Sequence, residues 1–138
     1  MMDDVLLNKG ETMKRCVGRI KDEYDGDPLN LNNYTKQDSI ILNIQRLCEA
    51  TIDIAMHLIA KLELGVPQNS RDGFEILYQN GIIEEEMAES LKNMVGFRNI
   101  AVHNYQKLNL RIVQAIIEEE IDLLLELPKI VMRHSFDQ

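Results

Sequence analysis

The stretch that decides the fold is Thr35-KQDSIILNIQRLCEATIDIAMHLIAKLELGV-Pro67. Ile40, Ile41, Ile44, Leu47, Cys48, Thr51, Ile54, Ala55, Leu58, Ile59 and Leu62 recur at helical steps and cover one side of a long helix. Thr35 with Asp38 three residues on has the form of a capping box, which places the helix start there. Gly65 followed by Pro67 is a stop signal. Opposite the apolar side runs a row of Arg46, Glu49, Asp53 and His57, spaced three, four and four. The row is open to two readings. It is either a solvated face stitched by ion pairs, each worth about 0.2–0.5 kcal/mol, or a polar wall (Arg46, Glu49, Asp53) supporting a site on a neighbouring helix.

The same period continues on both sides of this element. From about Asp3 to Tyr24, the residues Leu6, Met13, Cys16, Val17, Ile20 and Tyr24 form an apolar stripe between charged positions. Gly26-Asp27-Pro28 ends that helix, and Leu29 to Tyr34 reads as an Asn-rich loop. A short third helix begins at Ser70, turns Phe74 and Leu77 inward and stops near Gly81. A fourth starts near Glu84, where Glu84-Glu85-Glu86 suits the positive end of a helix. The fifth has Asn109 as N-cap and buries Leu110, Val113, Ile116, Ile117, Leu124 and Leu125, with Pro128 marking or kinking its end. The tail from Arg133 to Gln138 reads as frayed. Nothing alternates with period two, so no sheet is predicted. Helices joined by short links give an all-α chain, an up-and-down bundle of about five helices.

Composition narrows the class. At 138 residues with 45% hydrophobic and 28% charged side chains, residues 1–138 are expected to form one folded domain. No apolar run approaches the roughly 20 residues of a membrane span, and Met1-Met2-Asp3-Asp4 lacks the basic and apolar segments of a signal peptide. The expectation is a cytoplasmic protein without a membrane partner. Cys16 and Cys48 each sit on an apolar stripe, outside any C-x-x-C pair, and read as small buried hydrophobes. Adjacent acids such as Glu84-Glu85-Glu86 splay apart on a helix, so neither metal nor cofactor is expected. The net charge of −8 bears on partners, because a protein gripping a long nucleic acid usually carries a basic footprint. Either any contact with a nucleic acid is local, or the acidic faces serve solubility or a basic protein partner.

The fourth helix carries the chemistry, in Met94-VGFRNIAVHN-Tyr105. Met87, Leu91, Met94, Val95 and Val102 form its apolar stripe, and Arg98 falls in the middle of it. A guanidinium cannot shed its charge, so an inward arginine must find an anion or open onto a cleft. His103, one of three histidines, is the residue type that titrates near neutral pH. Tyr105 lies roughly 20° from Arg98 around an ideal helix, but Arg98 and His103 lie roughly 140° apart. They converge only if the helix loosens near Gly96 or ends before His103, if the arginine wraps, or if a second subunit supplies one of them. His57 reads as a surface or hydrogen-bonded histidine, and His134 carries no assignment.

R-x-x-x-x-H-x-Y, filled by Arg98, His103 and Tyr105, resembles the signature of HEPN-domain proteins of the HepT toxin type. Tyr34-TKQDSIIL-Asn43, Gln45-Arg46 with Glu49, and Pro67-QNSR-Asp72 resemble the same family, so the likeness spans essentially the whole chain. It implies a HEPN-like helical bundle that forms a homodimer with the motif helices near the two-fold cleft. It also implies a metal-independent endoribonuclease whose catalytic pair is Arg98 and His103, assisted by the polar Asn99. Tyr105 is either a packed ring with an exposed hydroxyl or, as the resemblance implies, the residue to which a nucleotidyltransferase antitoxin transfers AMP, switching the toxin off. A competing reading is a non-catalytic HEPN dimer that binds a nucleotide or a nucleotidyltransferase.

Overall fold

The computed structural model describes residues 3–136; Met1, Met2, Asp137 and Gln138 lie outside the described residues. The chain runs through α1 (Asp4–Tyr24), a 3-10 turn (Pro28–Asn32), α2 (Tyr34–Leu62), α3 (Ser70–Gln79) and α4 (Glu85–His103). A second 3-10 turn (Tyr105–Lys107) leads to α5 (Leu110–Ala115), a π turn (Ile116–Glu120), α6 (Ile121–Leu124) and α7 (Leu127–Phe136). No strand occurs among the described residues. The bundle is all-α, as the periodicity requires.

Side-chain bonds fix the directions of the rods. The first residues of α1 meet the last turns of α2, through Asp3 with His57 and Lys61, so those two are antiparallel. Lys21 and Tyr24 at the far end of α1 meet Asp122 and Glu118, so α6 and the π turn also run against α1. On α3 and α4, Arg71 lies against Gly96 while Glu75 binds Lys92 one turn earlier, which sets that pair antiparallel too. The core these rods enclose is one cluster of aliphatic side chains, with Ile40, Ile44, Leu47, Ile54, Leu58, Phe74, Leu91 and Met94 fully shielded. Cys16 and Cys48 are free thiols inside it. Burial pushes the Cys48 thiol up to about 12. Both behave as the small hydrophobes their stripes imply.

Local chemistry moves several boundaries. Asn33, not Thr35, caps α2, its side-chain oxygen accepting from the Lys36 N–H at 3.1 Å. The capping box of Thr35 and Asp38 is therefore not used; the 3-10 turn that replaces the expected Asn-rich loop delivers Asn33 in extended backbone, and asparagine is a strong cap. At the other end α2 stops before its glycine. Glu63 takes the left-handed conformation (φ 53°), and the Leu64 N–H returns to the Ile59 carbonyl at 3.0 Å while its side chain packs on the core.

The fifth predicted helix is a continuous path broken in two ways. A π turn at Ile116–Glu120 turns Glu118 toward Tyr24 of α1 and Glu120 toward Ser90 of α4. Burial raises the Glu120 carboxyl above its usual range, with the Ser90 bond opposing. After the break at Leu125–Glu126, Pro128 stands in the first turn of α7, where a missing N–H costs nothing. Arg133 to Phe136 is helix rather than frayed tail. Ser135 is buried and bonded to both Asp3 and Lys61, and those bonds hold the last turn down.

Candidate functional site

Helix α4 stays regular to His103 and ends on Asn104 (φ −153°, ψ 56°), whose N–H returns to the Ile100 carbonyl at 2.8 Å. It neither loosens at Gly96 nor stops early. Arg98 and His103 thus keep the divergence of an ideal helix, and within one chain no hydrogen bond joins them among the described residues. His103 is exposed. Arg98 is half-buried against α2, close enough to Cys48 for its charge to act on that thiol.

The guanidinium is poorly satisfied. Its Nη2 donates to Asn99 Oδ1 at 3.1 Å, whereas Nε is buried and has no partner among the described residues. A buried donor left unpaired costs about 1–3 kcal/mol. Asn99, the polar residue beside the arginine, orients the fork from the exposed side.

Tyr105 stands on the 3-10 turn just past the end of α4, and its hydroxyl donates to the carboxylate of Asp38 on α2. Burial first, then Asp38, pushes this phenol up to about 12, so it is held protonated. No spacing rule links positions 38 and 105, and sequence reasoning gave Asp38 only a capping role. Its place in the Tyr34–Asn43 segment was the available signal.

The polar row on α2 divides. Asp53 pairs with Lys9 of α1 at 2.9 Å, and His57 Nε2 lies 2.8 Å from Asp3. That end faces α1 and does not receive Arg98. Glu49 is exposed. Arg46 joins Arg15 and Arg19 of α1 around a cavity of about 230 Å³ that Thr12 and Asn43 also line. All three arginines act on the buried Cys16 thiol, which burial nevertheless raises above its ordinary value. On the opposite flank of α4, Phe97, Ile100, Leu108 and Ile112 line a groove of about 480 Å³ edged by Lys107 and Arg111. Ile100 and Ile112 remain 44% and 49% exposed there, and Val102, elsewhere on α4, is 53% exposed. No group of three His, Cys, Asp or Glu side chains suited to a metal ion occurs among the described residues.

An all-helical bundle with arginine, histidine and tyrosine gathered at the end of its fourth helix defines a HEPN-type domain. A family model described as Ribonuclease HepT-like matches residues 13–131. The mRNA nuclease HepT of Shewanella oneidensis is 48% identical over 121 residues, spanning 88% of this chain and 91% of that protein. The tRNA nuclease HepT of Aphanizomenon flos-aquae is 27% identical over 104 residues, 72% of this chain and 71% of that one. A solved structure of the tri-AMPylated Shewanella oneidensis HEPN toxin in complex with MNT antitoxin superposes with a TM-score of 0.88. It is 46% identical and covers 94% of this chain and 98% of its own. The fold reaches further, to a cytosolic protein of unknown function from Bacillus subtilis, YutE, with a TM-score of 0.83 at 15% identity. The chain belongs to the HepT-like ribonuclease family.

Proposed function

We propose that this protein is a toxin-type, metal-independent endoribonuclease that cuts RNA with Arg98, Asn99 and His103. A nucleotidyltransferase antitoxin silences it by transferring AMP to Tyr105. The observation that carries the reading is Arg98, a half-buried guanidinium with one buried donor unpaired among the described residues, five residues before an exposed imidazole and seven before a restrained phenol. A phosphodiester suits that fork, which offers two parallel N–H bonds to two oxygens.

Cleavage of RNA without a metal needs a base for the ribose 2′-hydroxyl, positive charge for the crowded phosphorus and an acid for the leaving oxygen. His103 supplies proton transfer. Arg98, steadied by Asn99, supplies the charge. Attack by the 2′-oxygen closes a cyclic phosphate and releases the 5′-oxygen, which takes a proton. One imidazole cannot be acid and base at the same instant, and α4 keeps Arg98 and His103 apart within a chain. A homodimer meets both needs, with the partner covering the exposed Ile100, Val102 and Ile112 and bringing its own motif alongside. Residues 1–138 act as one domain in this arrangement.

The acidic balance is compatible with a local RNA contact because arginines cluster on one part of the surface. Arg15, Arg19 and Arg46 form this cluster between α1 and α2, whereas Lys107 and Arg111 at the groove beside the motif are matched there by Glu119 and Glu120. No helix among the described residues is long and apolar enough to cross a membrane, and the cytoplasm, where RNA and ATP are present, is the compartment this function needs. The relatives named as mRNA and tRNA nucleases, and the toxin solved with its MNT antitoxin, support the reading.

The test compares wild type with His103→Ala and Arg98→Ala for growth arrest and for cleavage of purified RNA. Loss of at least about 100-fold in both variants is expected when proton transfer or phosphate charge is removed. Equal cleavage by all three proteins would remove Arg98 and His103 from the chemistry, and no cleavage by any of them, wild type included, would leave the non-catalytic dimer as the answer.

A further inference from the structure

Tyr105 is not a free phenol. Its hydroxyl hydrogen is already committed to a carboxylate from a distant part of the chain, Asp38 on α2. Among the described residues, Asp38 is also the charged group that acts appreciably on that hydroxyl. The ring sits on a short turn held mainly by the Asn104 N–H to Ile100 and the Lys107 N–H to Asn104, so the Asp38 bond is the tie that ties the phenol itself to the bundle.

From this contact we infer that Asp38 positions Tyr105 for AMP transfer and takes up its proton as the transfer proceeds. The inference rests on Tyr105 being the acceptor, as proposed above. In the transfer, the phenolic oxygen attacks the α-phosphorus of ATP. An O–P bond forms, the bond to the β,γ-phosphates breaks, and pyrophosphate leaves with the electron pair. The phenolic proton must depart at the same time, because the neutral oxygen is a weak nucleophile and this one is held protonated. Asp38 already accepts that hydrogen, so the proton crosses an existing hydrogen bond and later exchanges with water. Nothing is oxidised or reduced. The product ester carries no hydrogen to return to Asp38, so the contact cannot re-form once AMP is attached.

Asp38 is exposed, and asparagine matches its shape, so Asp38→Asn removes the base without disturbing the packing. Purified wild type, Asp38→Asn and Tyr105→Phe are incubated with the cognate nucleotidyltransferase, ATP and magnesium. Intact mass and peptide mapping then follow AMP at position 105 as the concentration of the toxin is varied. The expected result for Asp38→Asn is a kcat at least about tenfold lower with KM changed by less than about threefold, as removal of a proton acceptor predicts. Tyr105→Phe should acquire no AMP at that position. Modification of Asp38→Asn at the wild-type rate would overturn the inference, and so would a deficit confined to KM, which would make Asp38 a docking contact. Failure of wild type itself to be modified at Tyr105 is a different result. It would remove the acceptor reading, and the role of Asp38 with it.

Discussion

At the scale of single residues, the site and the stability of the fold can be separated. Arg98 holds a buried donor for which no acceptor occurs among the described residues. Arg98→Met keeps the side chain as far as the Nε position and replaces that donor by a methyl group, so the variant should be at least as stable as wild type, by up to about 1–3 kcal/mol. It should also fail to cut RNA. A thermal melt beside a cleavage assay checks both halves, and a marked loss of stability would mean that the arginine serves packing. Asp3 is the opposite case. Burial alone would raise its carboxyl, but bonds from His57, Lys61, the Leu6 N–H and Ser135 outweigh that and hold it well below the usual carboxylate range. A lowered folded pKa contributes stability that is present above the unfolded value of 3.8 and is lost as pH falls below it. Wild type should therefore lose melting temperature steeply below about pH 4, and Asp3→Asn should start lower at pH 7 and decline less over that range.

The reading of residues reached further at the site than at its supports. Arg98, His103 and Tyr105 could be singled out because an arginine on an apolar stripe and a titratable ring nearby are local signals, but their proposed roles came from the family resemblance of R-x-x-x-x-H-x-Y. Asp38 was not, since its bond to Tyr105 joins positions 67 apart that only the packing of α4 on α2 brings together. Asp53 and His57 belonged to a row with two meanings, and the neighbouring helix α1 decided for Lys9 and Asp3.

At the scale of elements, periodicity located the rods and local capping chemistry set their ends. The long helix was plain from its stripe, yet its stop signal was read at Gly65 when the left-handed turn falls on Glu63. An L-residue pays roughly 1–2 kcal/mol for that conformation and glycine only the entropy of its free chain, about 0.5–1 kcal/mol. Glu63→Gly is thus expected to stabilise the fold by about 0.5–1 kcal/mol in chemical denaturation, with cleavage unchanged. A destabilised variant would show that the Glu63 side chain contributes a contact of its own. The π turn was illegible for a different reason. Ile116, Ile117, Ile121 and Leu124 fit a plain helical stripe, and the widened turn follows from Glu118 and Glu120 reaching Tyr24 and Ser90, which no pattern of hydrophobicity records.

For the whole molecule, the divergence of Arg98 and His103 on one unbroken helix makes a sharp statement about assembly. If each active site draws its arginine from one subunit and its histidine from the other, two dead variants can repair one another. Mixing Arg98→Ala with His103→Ala through mild denaturation should then restore about a quarter of wild-type cleavage, since half of the randomly formed dimers carry one complete site of two. Light scattering on the same samples should report a dimer. A dimer without restored cleavage would mean that both groups act from a single subunit or that one site needs both copies of His103.

The bond network at Asp3 has one more implication. Ser135 donates to Asp3 at 3.1 Å, and Lys61 reaches both, so the opening of α1 and the close of α7 share a single clasp on α2. Where the chain is severed is then largely a matter of convenience. A short peptide could splice those neighbouring segments, and a new opening could be cut in the exposed link around Val66 with most of the antiparallel architecture kept in register. The clasp lies at the end of α2 away from Asp38, so changes made at it leave the Tyr105 contact untouched.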